Sequence, residues 1–227
     1  MMKPQFALLA ALLVALGGKM AHAQEDPRRF RLIPFTEMTP EQRKYADAVM
    51  AGPTSSTGSA AVVPGASTIG SPFNVYLRSP LLADRLRVVA EYLRFQTSLP
   101  FKLNELAILV TARKWTAQYE WFAHHRLALK AGLDPAIAED IAQGRRPAKM
   151  APDEEIVYNF CHELHTTHQV SDAAFKAMKD KFGEQGVVDL IAVSGYYEMV
   201  SMILNVDRAP IPGGGKPPLP ILKQPLP

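Results

Sequence analysis

Apolar residues recur at helical spacing through most of the chain, and no segment alternates in the way a half-buried strand requires. Thr39-Pro40-Glu41-Gln42 combines an N-cap, a proline at N1 and a glutamine at N3, so a helix is predicted to about residue 50. Ser79-Pro80 repeats the cap-then-proline opening. Behind it Leu82, Leu86, Val89 and Leu93 follow at helical spacing until Pro100. Strong helix formers from Leu103 to Leu109 and a helix over 117–131 come next, with a turn near Trp115 and Thr116 and Gly132 as the terminating C′ residue. Asp134-Pro135 starts a short helix that stops at Gly144. Another is expected from Asp153 to His165, and Ser171 caps one that Gly183 ends. The last long helix, 186–205, is apolar on nearly all sides, as a buried element or a subunit interface is. The pattern predicts an all-α chain.

Three stretches fall outside it. Residues 1–23 have a basic start at Lys3, an apolar run from Phe6 to Leu16 and a small-x-small site at Ala21-His22-Ala23, which reads as a secretory signal peptide cleaved after Ala23. The run is too short for a membrane-spanning helix, so a periplasmic or secreted protein is expected, without membrane attachment after cleavage. Gly52 to Phe73 is rich in Gly, Ser and Pro and reads as a long loop, of the kind that is functional or mobile. It is expected to cover a site, with Phe73, Asn74 and Tyr76 reaching the ligand. From Pro210 to Pro227 there are seven prolines and Gly213-Gly214-Gly215, a composition expected to form an extended tail, free to wrap a neighbouring subunit, and no packed core. The expected division is therefore signal peptide 1–23, N-terminal extension 24–72, helical domain 73–208 and tail 209–227.

Charge narrows the partners. Removing residues 1–23 takes away Lys3 and Lys19 and no acid, so 25 basic residues become 23 against 22 acidic and the net charge falls from +3 to +1. This balance argues against a nucleic-acid or membrane surface. The single cysteine, Cys161, excludes an intramolecular disulfide and reads as a buried small hydrophobe.

The chemistry-bearing stretch is 104–132. Glu120 and His124 are four residues apart and project from one helix face, so a carboxylate can orient an imidazole. Glu105 lies nineteen residues before His124, and a turn at Trp115-Thr116 brings it alongside if the two helices are antiparallel. An exposed i,i+4 surface pair is the competing reading. Trp115, Tyr119, Trp121 and Phe122 sit among these groups and suggest a partly dry wall, where pKa values shift most. Two other clusters carry less. His162, His165 and His168 fan round a helix in steps of three instead of converging on a metal, and are expected to face solvent. Arg145 and Arg146 are expected to be solvated in a linker.

The segments SPFNVYLRSP (71–80), LPFKLNELAILV (99–110), WTAQYEWFAHH (115–125), AGLDPAIAEDIAQGR (131–145) and FGEQGVVDLIAVSGYY (182–197) resemble the carboxymuconolactone decarboxylase and alkylhydroperoxidase D (AhpD)-like proteins. The resemblance implies an AhpD-like helical domain assembled as a homotrimer or homohexamer. It places the family's functional glutamate and histidine on Glu105 and His124. The two cysteines of the peroxidase branch fall on Ala117 and Glu120, so a thiol peroxidase cycle lacks its thiols. What remains is cofactor-free acid–base chemistry on a small unsaturated or lactone carboxylic acid. His124 is then the proton donor, Glu120 its orienting partner, Glu105 a relay or substrate contact, and Tyr119, Trp121 and Trp115 candidates for the pocket wall. Neither metal nor organic cofactor is expected. A metal held by Glu105, Glu120 and His124, and a non-catalytic ligand-binding protein, stand as alternatives.

Overall fold

Local signals start most of the helices where the pattern puts them. The computed structural model describes residues 26–222, and among them there is no strand; the signal peptide and its cleavage site lie outside the described residues. In α1 (Pro40–Ala51), Thr39 Oγ1 accepts from the Gln42 N–H at 3.3 Å and Gln42 Oε1 accepts from the Thr39 N–H at 3.0 Å, a complete capping box. A single turn, α2 (Phe73–Tyr76), precedes α3 (Pro80–Phe95). Ser79 does not cap α3. Its own N–H donates to Tyr76 O at 2.9 Å, which holds it in the preceding turn, away from the usual N-cap geometry.

Next come α4 (Phe101–Lys114), α5 (Gln118–Lys130) and α6 (Pro135–Ala142), the last capped by Asp134 on Ala136 N at 2.8 Å. They are followed by α7 (Pro152–Thr167) and α8 (Asp172–Asp207), with Ser171 accepting from Ala174 N at 3.2 Å. Gly183 interrupts α8 but does not end it: at φ 71° and ψ 177° it breaks the helical geometry for one residue, and the helix resumes at once.

The helices are organised around α4, which is buried at every position from Leu103 to Arg113. It packs on α5, α6, α7 and α8, so its sequence shows no polar face. A second, smaller apolar cluster lies towards the N-terminus, where Ile33, Tyr45, Val49, Val62, Ile69 and Leu77 close together. The 52–72 segment belongs to it. After a 3-10 turn at Pro53–Thr57 the segment folds back on itself, with Gly70 N donating to Ala61 O at 2.8 Å. Gly70 lies so near Ala61 that a Cβ there would stand 2.9 Å from the Ala61 Cα. Buried Asp207, at the end of α8, gathers this region by accepting from Ser71 Oγ at 2.7 Å and Phe30 N at 3.1 Å.

The proline-rich tail departs from expectation. Leu219 is buried in the main core, and Gln118, the first residue of α5, holds it by two hydrogen bonds, donating to Leu219 O at 2.9 Å and accepting from Leu219 N at 2.8 Å. Arg113 Nη1 adds a bond to Pro220 O at 2.9 Å. One well-placed leucine and paired backbone bonds are enough to dock a segment that has too few apolar residues for a core of its own.

Helix α8 is long and apolar enough to cross a membrane, yet half of its most apolar window is buried in the fold. Its outer face exposes Val188 and Ile191, and the neighbouring α3 exposes Leu81, Leu82, Val88 and Val89.

Candidate active site

The turn between α4 and α5 decides the geometry. Thr116 takes a positive φ of 46°, Arg113 Nη2 donates to its Oγ1 at 2.6 Å, and Ala117 N donates to Ala112 O at 2.9 Å. The two helices return alongside one another, and Glu105 meets His124. His124 Nδ1 lies 2.7 Å from Glu105 Oε2, with both side chains buried. On the other side of the ring Nε2 lies 3.2 Å from Glu120 Oε1, without the alignment of a hydrogen bond, so that Oε1 is buried and unpartnered. The imidazole therefore stands between two carboxyl groups. It is not a surface pair.

The two carboxyl groups are not equivalent. Glu120 lines a cavity of about 180 Å³ together with His124, whereas Glu105 lies behind the ring and does not. Burial raises the pKa of Glu120, opposed by the charges of His124 and Arg94 and reinforced by Glu105. A carboxyl whose proton is held more tightly by burial, beside an imidazole, is placed to exchange that proton with the ring. Tyr197 stacks edge-on against the His124 ring at 5.0 Å, and Tyr196 stands edge-on to Tyr197 at 5.4 Å. Burial pushes the Tyr196 and Tyr119 hydroxyls up to about 12 and Tyr197 well above its ordinary value, so all three keep their protons at neutral pH. Among the described residues, no group of three or more His, Cys, Asp or Glu side chains is arranged to hold a metal.

The 52–72 segment covers the cavity: Thr54, Thr57 and Gly58 line it near the 3-10 turn, and Ser71, Pro72 and Phe73 line it at the other end. Arg126 ties this cover to α5 by donating to Thr57 O at 3.1 Å. Of the residues expected at the ligand, Tyr119 and Phe73 reach the wall. Trp121 does not. It sits about 100° round α5 from Glu120, is buried in the main core and stacks on His125 at 5.8 Å. Trp115 instead donates from Nε1 to Glu198 Oε1 at 3.2 Å. Asn74 is fully buried as a strut, accepting from Ile33 N at 3.0 Å and donating to Arg31 O at 3.1 Å. Tyr76 is buried beside Tyr45 in the smaller cluster.

Tyr196, Tyr197 and Arg94, which no motif in the sequence marks, also line the cavity. The signal for the first pair is two adjacent tyrosines in the largely apolar 186–205 stretch. His165 corrects an expectation: it is buried, with Nε2 at 2.9 Å from Thr111 Oγ1 and Nδ1 at 3.3 Å from Glu198 Oε1, so it joins α4, α7 and α8 instead of facing solvent. Arg145 and Arg146 are exposed and pair with Asp140 and Glu155.

Comparison with solved structures reproduces this arrangement of helices. An alkylhydroperoxidase AhpD core, an uncharacterized peroxidase-related protein from Ralstonia eutropha JMP134, superposes with a TM-score of 0.64 over 83% of this chain and 94% of its own, at 13% identity. The chain has the AhpD-like fold. An uncharacterized peroxidase-related protein from Silicibacter sp. TM1040 is similar at TM-score 0.61 and 13% identity, covering 84% of this chain and 94% of that one. No family model and no curated protein matches the sequence. On the AhpD-like scaffold Ala117 is buried and Glu120 stands in the cavity wall, while the lone thiol, Cys161, is fully buried outside it. Burial pushes that thiol up to about 12.

Proposed function

We propose that this protein is a cofactor-free acid–base enzyme that decarboxylates or isomerises a small unsaturated or lactone carboxylic acid. The observation that carries the reading is a histidine with a carboxyl group at each ring nitrogen, set in the wall of a covered, largely apolar cavity. Glu105 holds the Nδ1 proton and so fixes the tautomer that leaves Nε2 free to exchange a proton with Glu120. The relay thus runs Glu105, His124, Glu120, with Glu120 nearest the ligand. In decarboxylation the carbon–carbon bond to the carboxylate breaks, CO2 leaves, and the electron pair passes into the conjugated carbonyl. The dienolate carbon then takes a proton from the Glu120–His124 pair. Isomerisation uses the same protonation after the pair has first removed a proton. Thiol peroxidase chemistry, by contrast, has against it a buried, weakly acidic Cys161 outside the cavity.

The exposed apolar residues of α3 and α8 support self-association, and the N-terminal sequence supports export; both belong to the same proposal. The test is a screen of small unsaturated and lactone carboxylic acids for CO2 release and isomerisation, followed by pH–rate profiles of wild type and His124→Ala. Loss of about 10²–10⁴-fold in kcat/KM in the variant, with fold and assembly intact, is expected. Activity that survives the substitution would sink the reading, and an absence of turnover with any acid would favour a binding protein.

A further inference from the structure

Arg94 lies near the C-terminal end of α3 and lines the same cavity as Glu120, His124, Tyr196 and Tyr197. Its positive charge acts on Glu120, Tyr196 and Tyr197, in each case against the effect of burial. Two turns earlier on α3, Arg87 is neutralised by Glu91 at 2.8 Å and Asp84 at 3.4 Å. Arg94 has no such carboxylate among the described residues. Its acceptor is the Thr54 hydroxyl of the cover, at 2.9 Å from Nη1, while its buried Nε has no partner and its plane rests 5.0 Å from the Phe95 ring centroid. Apart from the Thr54 bond the guanidinium makes no hydrogen bond to the protein among the described residues, in a cavity it shares with Glu120, a carboxyl whose ionisation burial disfavours. The complement to that arrangement is an anion.

We infer that Arg94 anchors the carboxylate of the substrate, with its uncharged, conjugated part directed to Glu120 and His124. The carboxylate takes the donors that Thr54 and solvent share when the cavity holds no acid, in the charge-assisted geometry for which guanidinium is suited. Holding the carboxylate as an ion pair stabilises it against loss as neutral CO2. Proton transfer at the far, uncharged end of the molecule is then the chemistry this arrangement favours, and a substrate that loses CO2 carries a second acid group. The inference rests on the acid–base reading for the identity of the reaction, but its test requires no turnover.

The full chain is titrated at equilibrium with furan-2-carboxylate and with its neutral isostere furan-2-carboxamide, in wild type, Arg94→Met and Arg94→Lys. Wild type should prefer the acid by about tenfold or more. Arg94→Met should lose that preference with the amide affinity unchanged, and Arg94→Lys should keep part of it. Equal affinities in wild type, no binding of the acid, or a preference that persists in Arg94→Met each overturn the anchor. The wild-type comparison stands even where a variant fails to fold. Loss of the preference in Arg126→Gln with its retention in Arg94→Met assigns the anion to the other arginine and overturns the inference as well. Failure of the acid–base reading shows elsewhere, as turnover that survives His124→Ala.

Discussion

Glu120 is the residue whose environment is most at odds with its charge. Its carboxyl is buried, its pKa is raised chiefly by that burial, and Oε1 has no hydrogen-bond partner. The unfolded chain loses this proton near the ordinary value of 4.5, while the folded chain keeps it to higher pH. The stability contributed by the group is thus fully present below 4.5 and is lost as pH rises through the raised folded value. Glu120→Gln cannot ionise. Its melting temperature should match wild type in acid and exceed it increasingly as pH rises, levelling once the native carboxyl has ionised. A constant difference across the pH series would contradict the raised pKa of Glu120.

Much of this site could be read from spacing: nineteen residues with a turn between them bring Glu105 to His124, and four bring Glu120. Depth could not. Spacing does not tell which carboxyl lies behind the ring and which faces the cavity, because that depends on how α4 is enclosed by its neighbours. Tyr196, Tyr197 and Arg94 escaped for a related reason, since they reach the cavity from helices whose rotation is set by packing alone.

At the scale of elements, local chemistry is most informative where a side chain closes its own cap, as Thr39, Asp134 and Ser171 do. Ser79 looks the same in sequence and does not cap, because the preceding turn leaves its backbone at φ −139° and ψ 70°, away from the extended geometry of the other caps. Gly183 announces a break, but not that the helix resumes beyond it. At φ 71° and ψ 177° it occupies a region open essentially to glycine, and a Cβ there would meet nothing within 4 Å. Gly183→Ala should therefore destabilise the fold by backbone strain without a clash, by about 1–3 kcal/mol. Denaturant unfolding would measure it, and a neutral effect would mean that α8 tolerates a regular helix through this point.

The molecule as a whole has one core built round α4 and one smaller cluster that carries the cover, joined at the end of α8 by Asp207. Composition misjudged residues 209–222, because proline and glycine content describes the average of a segment and one leucine can dock it. Leu219→Ala should cost about 2–5 kcal/mol, as for other buried leucines. A change within the error of the unfolding measurement would show that the hydrogen bonds to Gln118 and Arg113 suffice.

The Gln118 bonds meet α5 at its first residue, two positions before Glu120. A nascent chain presents its N-terminal elements first, yet the strap that steadies the start of α5 follows every other described element in sequence. The start of α5 is consequently steadied only after the other described elements have been synthesised. A ribosome-bound chain that has released α8 but not the strap should have its helices while the first turn of α5, which leads to Glu120, is still unstrapped.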